Sequence, residues 1–518
     1  MLLKKRISLS DNALSLNFVK RENGRPFYGK APLEVLERQV VIYIPSLMIP
    51  GLVNLLALAF YTRILDTAAY GRYIIILSIV VTAKMVVFEW LRLGILRFFQ
   101  AKQSIGDLNA LISTSLYGFA IVCLIILIPW IICATFLPIN NLLKKDLWFA
   151  LPLLLIWTLF EQILQMNRAA LNAKRYGILS TSKAIFGLFA SMIFITIFRL
   201  SENGVFLGLV FGAFVSVLID WPRWLSRFNF RLIRRDIGVE LLRYGIPFTL
   251  TLGMGLVISL SDRFMLQHFI GSEAVGVYAA SYDLVNQSIM MVFTLLNLAA
   301  YPIVLKALDK GGIDSARKQL QQYAVILIAL ALPISVGLAL TAKPFAAVFL
   351  GEDFQQVGWQ VMPWISVATF LMGAKAFYAD LSFQIGLRTD LQIWPVAVAA
   401  LLNVCLNLWW IPVYGVIGAA KATCFSYLLA LVLSLSIGWR VFKLPYPFST
   451  IWRILLATLV MTVGLKNIPF RDSGWKTLLI MFAAGTGSYL VMVWIMNIGN
   501  ARGCLSFKLH YLKNLLKQ

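Results

Sequence analysis

The chain has 518 residues, of which 60% are hydrophobic and 13% charged, with a mean hydropathy of +0.81. A soluble fold of this length cannot bury that much apolar surface, and the formal charge of +23 sits between long apolar runs. This excludes a nucleic-acid binder in favour of a polytopic membrane protein whose basic loops set its orientation. A membrane β-barrel is excluded as well, because its shorter strands would alternate polar with apolar residues. With two histidines and five scattered cysteines, the sequence offers no metal-ligand spacing and no disulfide framework.

In chain order, residues 1–38 form a basic tail without the apolar core of a signal peptide, expected in the cytoplasm. Runs of about 18 or more apolar residues then recur, each long enough to cross a bilayer as a helix. Spans are expected near 39–61, 73–93, 111–137, 147–166, 180–200, 204–223, 245–263, 276–300, 322–342, 356–381, 393–413, 415–438, 450–468 and 476–498. The fold class is therefore all-α, with about fourteen transmembrane helices. Residues 39–223 make an N-lobe of helices 1–6, and 224–244 a basic amphipathic linker between lobes. Residues 245–438 make a C-lobe of helices 7–12, 439–498 hold two extra helices, and 499–518 form a second basic cytoplasmic tail. With both termini inside, the cytoplasmic segments hold roughly 33 of the 46 Lys and Arg, as the positive-inside rule requires. The linker RWLSRFNFRLIRRDIGVELLR places Trp and Phe among arginines, which suits the bilayer interface beside anionic lipid. Topology determination alone would account for it equally.

The halves repeat. Tyr244 to Asp283 has a weaker copy from Ile42 to Ser78, with Pro45 matching Pro247 and Arg63 matching Arg263. Likewise Tyr70-Gly71-Arg72-Tyr73 matches Val275-Gly276-Val277-Tyr278. An even number of helices per half leaves both copies in one orientation, related by an axis along the membrane normal and enclosing a central cleft. Rocking the lobes would expose that cleft to alternate sides.

Three stretches in order carry a family resemblance: Ser261-Asp262-Arg263 to Tyr278; Pro302 with the basic loop of Lys306, Lys310, Arg317 and Lys318; and ALLNVCLNLWWIPVYGVIGAAKATCFSYL from Ala400 to Leu428. Over approximately residues 40 to 440 the chain resembles the polysaccharide transporter family of the multidrug/oligosaccharidyl-lipid/polysaccharide exporter superfamily, which includes Wzx-type O-antigen and exopolysaccharide flippases. The resemblance implies two six-helix lobes in a V around a cationic cavity. It implies flipping of undecaprenyl-pyrophosphate-linked oligosaccharide across a bacterial cytoplasmic membrane, with other polysaccharide assembly proteins as further partners. No enzymatic step and no cofactor are implied; the energy would come from an ion gradient or the membrane potential. The basic N-terminal extension is longer than the family leads one to expect.

Moving a diphosphate through a bilayer needs cations at membrane depth. Lys84, near the middle of span two, is the leading candidate, since a charge there costs about 2.5–3.5 kcal/mol and should face a cavity or a partner. Glu89 and Arg92 suit each other at i, i+3, whereas Lys84 and Glu89 do not share a face. Arg63 and Arg263, at equivalent outer ends of spans one and seven, are either interfacial anchors or paired cations flanking the cleft mouth, with Asp262 as a partner for Arg263. Lys375 (with Asp380) and Lys421 are further cavity candidates, and with Lys84 they are the lysines assigned to span interiors. Asn403 and Asn407 share a face and suit sugar hydroxyls or interhelical bonds. Glu161 and Asp220 are placed near inner span ends and given no role. Pro45, Pro247, Gly253 and Gly255, together with Pro50 and Gly51, weaken spans one and seven in matching places, as hinges or as sites of close packing. Two other functions remain open: a cation-coupled drug exporter, which needs carboxylates in the cavity, and a membrane glycan polymerase or ligase, which needs a catalytic cluster or a large outer loop.

Overall fold

The computed structural model describes residues 31–136, 141–468, 474–500 and 502, with side chains from residue 45 onward except 248, 250, 251, 309, 310 and 500. Most of both basic tails lies outside this range. Among the described residues every regular element is helical. The N-lobe comprises α1 (Ala31–Ile64), α2 (Thr67–Ser104), α3 (Leu108–Phe136), α4 (Asn141–Ala169), α5 (Ala173–Thr196) and α6 (Ser201–Trp224). The C-lobe comprises α7 (Arg235–Phe269), α8 (Ser272–Leu340), the short α9 (Ala342–Phe349), α10 (Glu352–Ala374), the short α11 (Leu381–Ile385) and α12 (Ile393–Val441). Two further helices, α13 (Phe448–Lys466) and α14 (Trp475–Ile495), rest on the second half of α8 and on α9.

Among the described residues, twelve helical stretches are long and apolar enough to cross a membrane, or thirteen with α7 counted through its bend. The longest, Thr389–Val441, holds two spans joined at Gly415, which adds one more. Gly415 has φ of +58° and Gly312, which divides α8 in the same way, +67°. Such left-handed backbone is what a residue without Cβ tolerates. The sequence-based count of about fourteen agrees with this architecture.

The lobes meet where the duplication is clearest. A Cβ on Gly71 would fall 1.8 Å from the Ser272 carbonyl oxygen, and one on Gly276 would fall 2.1 Å from that of Thr67. These glycines are counterparts in the two repeats, so the pseudo-symmetric starts of α2 and α8 touch backbone to backbone. Tyr61, Tyr70, Tyr73, Phe206 and Phe354 form an aromatic chain beside the crossing. The other half of α2 also meets the C-lobe, with Gly245 of α7 against the Trp90 carbonyl.

α7 begins ten residues before the expected span at 245. Ile237 and Leu241 are fully buried among Leu91, Ile95 and Leu111, so burial of their apolar face extends the helix back into the linker. What remains of the linker is two 3-10 turns, Leu225–Arg227 and Phe230–Leu232. They are tied to α3 by the amides of Asn229 and Arg234, which donate to Ser113 Oγ at 3.0 Å and Thr114 Oγ1 at 3.1 Å. α7 bends by 51° between its segments Arg235–Pro247 and Leu252–Phe269. Just beyond, a Cβ on Gly253 or Gly255 would meet nothing within 4 Å. Close packing therefore does not account for these two glycines.

Candidate functional site

Between the lobes lies a cavity of about 720 Å³. α1, α2, α4 and α5 build most of its wall, and the first half of α8 faces them. On α4, Trp157, Phe160, Glu161 and Leu164 repeat at three- and four-residue spacing, which turns one helix face to the cavity. Ser180, Lys183 and Ala184 do the same on α5. α6 packs directly behind α5, where a Cβ on Gly212 would lie 2.4 Å from the Lys183 carbonyl oxygen.

These faces bring cations together. Lys183 Nζ lies 4.1 Å from the Trp157 ring centroid and 5.0 Å from that of Phe160. Lys84 Nζ, from α2, lies 4.6 Å from the same Trp157 ring and donates to Glu161 Oε1 at 2.6 Å. One ring thus supports two ammonium groups, each contact worth about 0.5–2 kcal/mol depending on desolvation. Arg92 places Nη1 3.9 Å from Glu161 Oε2 and grips Glu89 through Nε at 2.9 and 3.0 Å. Three cations against two carboxylates leave the group net positive. Lys183 has no carboxylate within salt-bridge reach among the described residues.

Toward the ends at which α2 and α8 begin, the lining changes to Tyr61, Tyr70, Tyr73, Asn54, Asp283, Asn286 and Gln287. Asp283 Oδ1 accepts from Arg263 Nη2 at 2.7 Å, and Gln287 Nε2 donates to the Gly51 carbonyl at 3.1 Å. Asn286 Oδ1 is buried without a partner among the described residues. A separate apolar groove of about 560 Å³ runs between the second half of α8, α9, α13 and α14, walled by Leu330, Ile334, Phe345, Leu465, Phe482 and Leu490.

Several candidates from the sequence occupy other places. Lys84 backs the cavity through Glu161 and Trp157, and is not itself among the lining residues. Arg63 is exposed and donates to the carbonyls of Ala59 at 2.6 Å and Val348 at 2.5 Å, closing the last turn of α9. Arg263 is buried against Asp283, which does line the cavity, so the two matching arginines are not equivalent. Asp262 is not the ion-pair partner of Arg263: its carboxylate accepts from the Arg263 amide at 2.8 Å and from the Tyr278 hydroxyl, with Thr423 Oγ1 at 3.5 Å. Lys375 and Asp380 pair with each other at 2.7 Å and both are buried, away from the cavity lining. They stand five apart across a π-helical turn, Lys375–Ala379, whose wider winding aligns positions that an α-helix would splay. Lys421 Nζ lies 4.9 Å from the Tyr414 ring centroid and 5.4 Å from that of Trp364, again outside the cavity lining. Asn407 Nδ2 donates to Asn403 Oδ1 at 3.0 Å within α12, and Ser261 Oγ of α7 donates to the same oxygen at 3.0 Å, an interhelical use of the Asn403 amide.

Sequence reasoning missed Lys183 and gave Glu161 no role. Because α5 starts at Ala173, Lys183 lies ten residues inside it, about 15 Å from its end at 1.5 Å per residue. The signal was present in Asn172, whose side chain accepts from the Arg175 amide at 3.3 Å and caps the helix there. Asp220 is fully buried, holding Arg175 Nε at 2.6 Å and Asn167 Nδ2 at 2.5 Å, a clamp at that end of the N-lobe. Among the described residues, no group of three His, Cys, Asp or Glu is placed to hold a metal.

Comparison with known proteins agrees with this architecture. Residues 36–308 match the family described as "Polysaccharide biosynthesis protein". The chain is 24% identical over 233 residues to the "Probable flippase AglR" of Haloferax volcanii, covering 44% of this chain and 48% of that protein. It is 23% identical over 245 residues to the "Teichuronic acid biosynthesis protein TuaB" of Bacillus subtilis, covering 45% and 49%. These matches span about half the length of either relative. Among solved structures, "Lipid II flippase MurJ, inward closed conformation" aligns with a TM-score of 0.70 at 14% identity, covering 88% of this chain and 99% of that one, a likeness of fold. With the family match taking in more than half of its residues, the chain belongs to the polysaccharide biosynthesis protein family.

Proposed function

We propose that the protein flips undecaprenyl-pyrophosphate-linked oligosaccharide repeat units across a bacterial cytoplasmic membrane by alternating access, in surface polysaccharide (O-antigen or exopolysaccharide) assembly. The observation that carries this reading is Lys183 on the wall of the inter-lobe cavity, sharing Trp157 with Lys84 and without a carboxylate partner among the described residues. A cation at membrane depth is expensive to insert, and a diphosphate entering the cavity offsets that cost with charge-assisted bonds. The apolar groove against α13 and α14 supplies a surface for a polyprenyl chain. With both termini cytoplasmic, the crossing of Gly71 and Gly276 closes the outer end, so the cavity loads from within. Transport draws on an ion gradient or the membrane potential and involves no bond chemistry. The drug-exporter reading has Glu161 and Asp283 in its favour, since both line the cavity. Each is matched by a cation, Lys84 and Arg263.

The test is a deletion strain complemented with wild-type or Lys183→Gln protein, in which undecaprenyl-linked glycan and surface polysaccharide are both quantified. The flippase reading expects linked glycan to build up facing the cytoplasm in the deletion strain. Lys183→Gln should restore export at least about tenfold less well at equal protein level, the scale of one lost charge-assisted contact. Unchanged surface polymer with new sensitivity to cationic dyes would replace this reading with the drug exporter.

A further inference from the structure

We propose that the cavity holds its substrate in one direction: the diphosphate rests at Lys183, with Lys84 behind Trp157 and Glu161, and the first sugars lie against Asp283, Asn286 and Gln287 of α8. This assignment rests on the flippase reading above and adds to it a sugar subsite and a polarity.

The geometry comes from two helices. On α2, Tyr73 of the polar end and Lys84 of the cationic end are eleven residues apart, or about 16 Å along the axis. That leaves room for a diphosphate and the sugars attached to it. On α8, Asp283, Asn286, Gln287, Met290, Met291 and Thr294 all line the cavity, a spacing that describes one helical face. The face is polar for its first turn and apolar through the two methionines, so hydrogen-bonding capacity is concentrated at one end.

The chemistry of that end suits hydroxyl groups better than phosphate. Sugar hydroxyls both donate and accept, and carboxylates and carboxamides can bind neighbouring hydroxyls through paired oxygens and nitrogens. Asn286 Oδ1 is buried and lacks a donor among the described residues, a state that a hydroxyl would relieve. Gln287 donates its Nε2 to the Gly51 carbonyl, and its Oε1 has no donor among the described residues. Asp283 gives Oδ1 to Arg263, which holds the carboxylate in place and balances its charge. The balanced Asp283–Arg263 pair offers a diphosphate no net attraction, whereas Lys183 adds a positive charge beside the Lys84–Glu161 pair, so the diphosphate favours the Lys183 end.

The experiment measures equilibrium binding by isothermal titration calorimetry to the full chain in lipid nanodiscs. Two probes are used: farnesyl diphosphate, and the same lipid carrying N-acetylglucosamine on its terminal phosphate. The wild type should bind the sugar-bearing probe more tightly. Asn286→Ala/Gln287→Ala should weaken that probe by about tenfold while leaving farnesyl diphosphate within about twofold, which also shows that the variant is folded. Lys183→Gln should weaken both probes by a similar factor. Equal wild-type affinity for the two probes, or equal losses for both in the α8 variant, would overturn the sugar subsite while the flippase reading stands. Binding of neither probe by the wild type would overturn both.

Discussion

The two lobes share a helix order but distribute their membrane-depth cations differently. In the N-lobe, Lys84, Arg92 and Lys183 stand on helices that line or back the cleft, around Trp157 and Glu161. In the C-lobe, Lys375 turns into the protein toward Asp380, and Lys421 rests over Trp364 and Tyr414. The C-lobe face of the cleft is instead made of a held carboxylate and carboxamides on α8. The duplication has kept what the backbone requires, such as Gly71 and Gly276 at the crossing, and has let the side-chain electrostatics diverge. One lobe can thus present charge to a substrate while the other uses its charges to hold itself together.

The sharpest way to break that contrast is at Lys375. Lys375→Met should cost about 3–5 kcal/mol, because it leaves the Asp380 carboxylate buried without its cation. Lys375→Met/Asp380→Leu should recover most of the loss, as measured by thermal unfolding in detergent. A stable single variant with impaired transport would instead make Lys375 a transport residue. Next in size is the inter-lobe crossing. Gly71→Ala and Gly276→Ala each force a Cβ into the opposing carbonyl and should cost about 1–3 kcal/mol. They should also raise labelling, by an external thiol reagent, of a cysteine introduced at Tyr73. Gly253→Ala/Gly255→Ala should behave in the opposite way. Nothing occupies the added volume and alanine favours helix by about 1 kcal/mol per site, so stability should hold or rise. Transport should fall if α7 bends there during the cycle, and normal transport would remove the hinge.

The all-helical fold and the approximate span number were legible because apolar length is a local property of a sequence. The pairing of Glu89 with Arg92 was legible too, as an i, i+3 contact on one helix. The site itself depended on which helix faces meet, and that is set between helices. Glu161 was discounted for its position along α4, yet its face meets Lys84 across 77 residues of chain. Lys375 and Asp380 stand at a spacing that α-helical winding would splay, and only the π-turn lines them up. Lys183 fell inside the expected span 180–200 but only three residues from its start, whereas the helix begins at its cap, Asn172, and sets Lys183 ten residues in.

The smallest expected effect separates the two matching arginines. Arg63→Ala removes two carbonyl bonds at an exposed site and should cost about 0.5–1.5 kcal/mol, leaving transport close to wild type. Arg263→Ala has a comparable stability cost, since Asp283 keeps 34% side-chain exposure through the cavity and water can solvate it. Its effect on transport should be larger, because the freed Asp283 carboxylate then faces an anionic substrate uncompensated. Arg263→Ala/Asp283→Asn should therefore transport better than Arg263→Ala alone in the same complementation assay. Equal loss of transport in Arg63→Ala and Arg263→Ala would restore the pair of cations at the cleft mouth that the repeat suggests, and would place the divergence between the lobes deeper in the membrane.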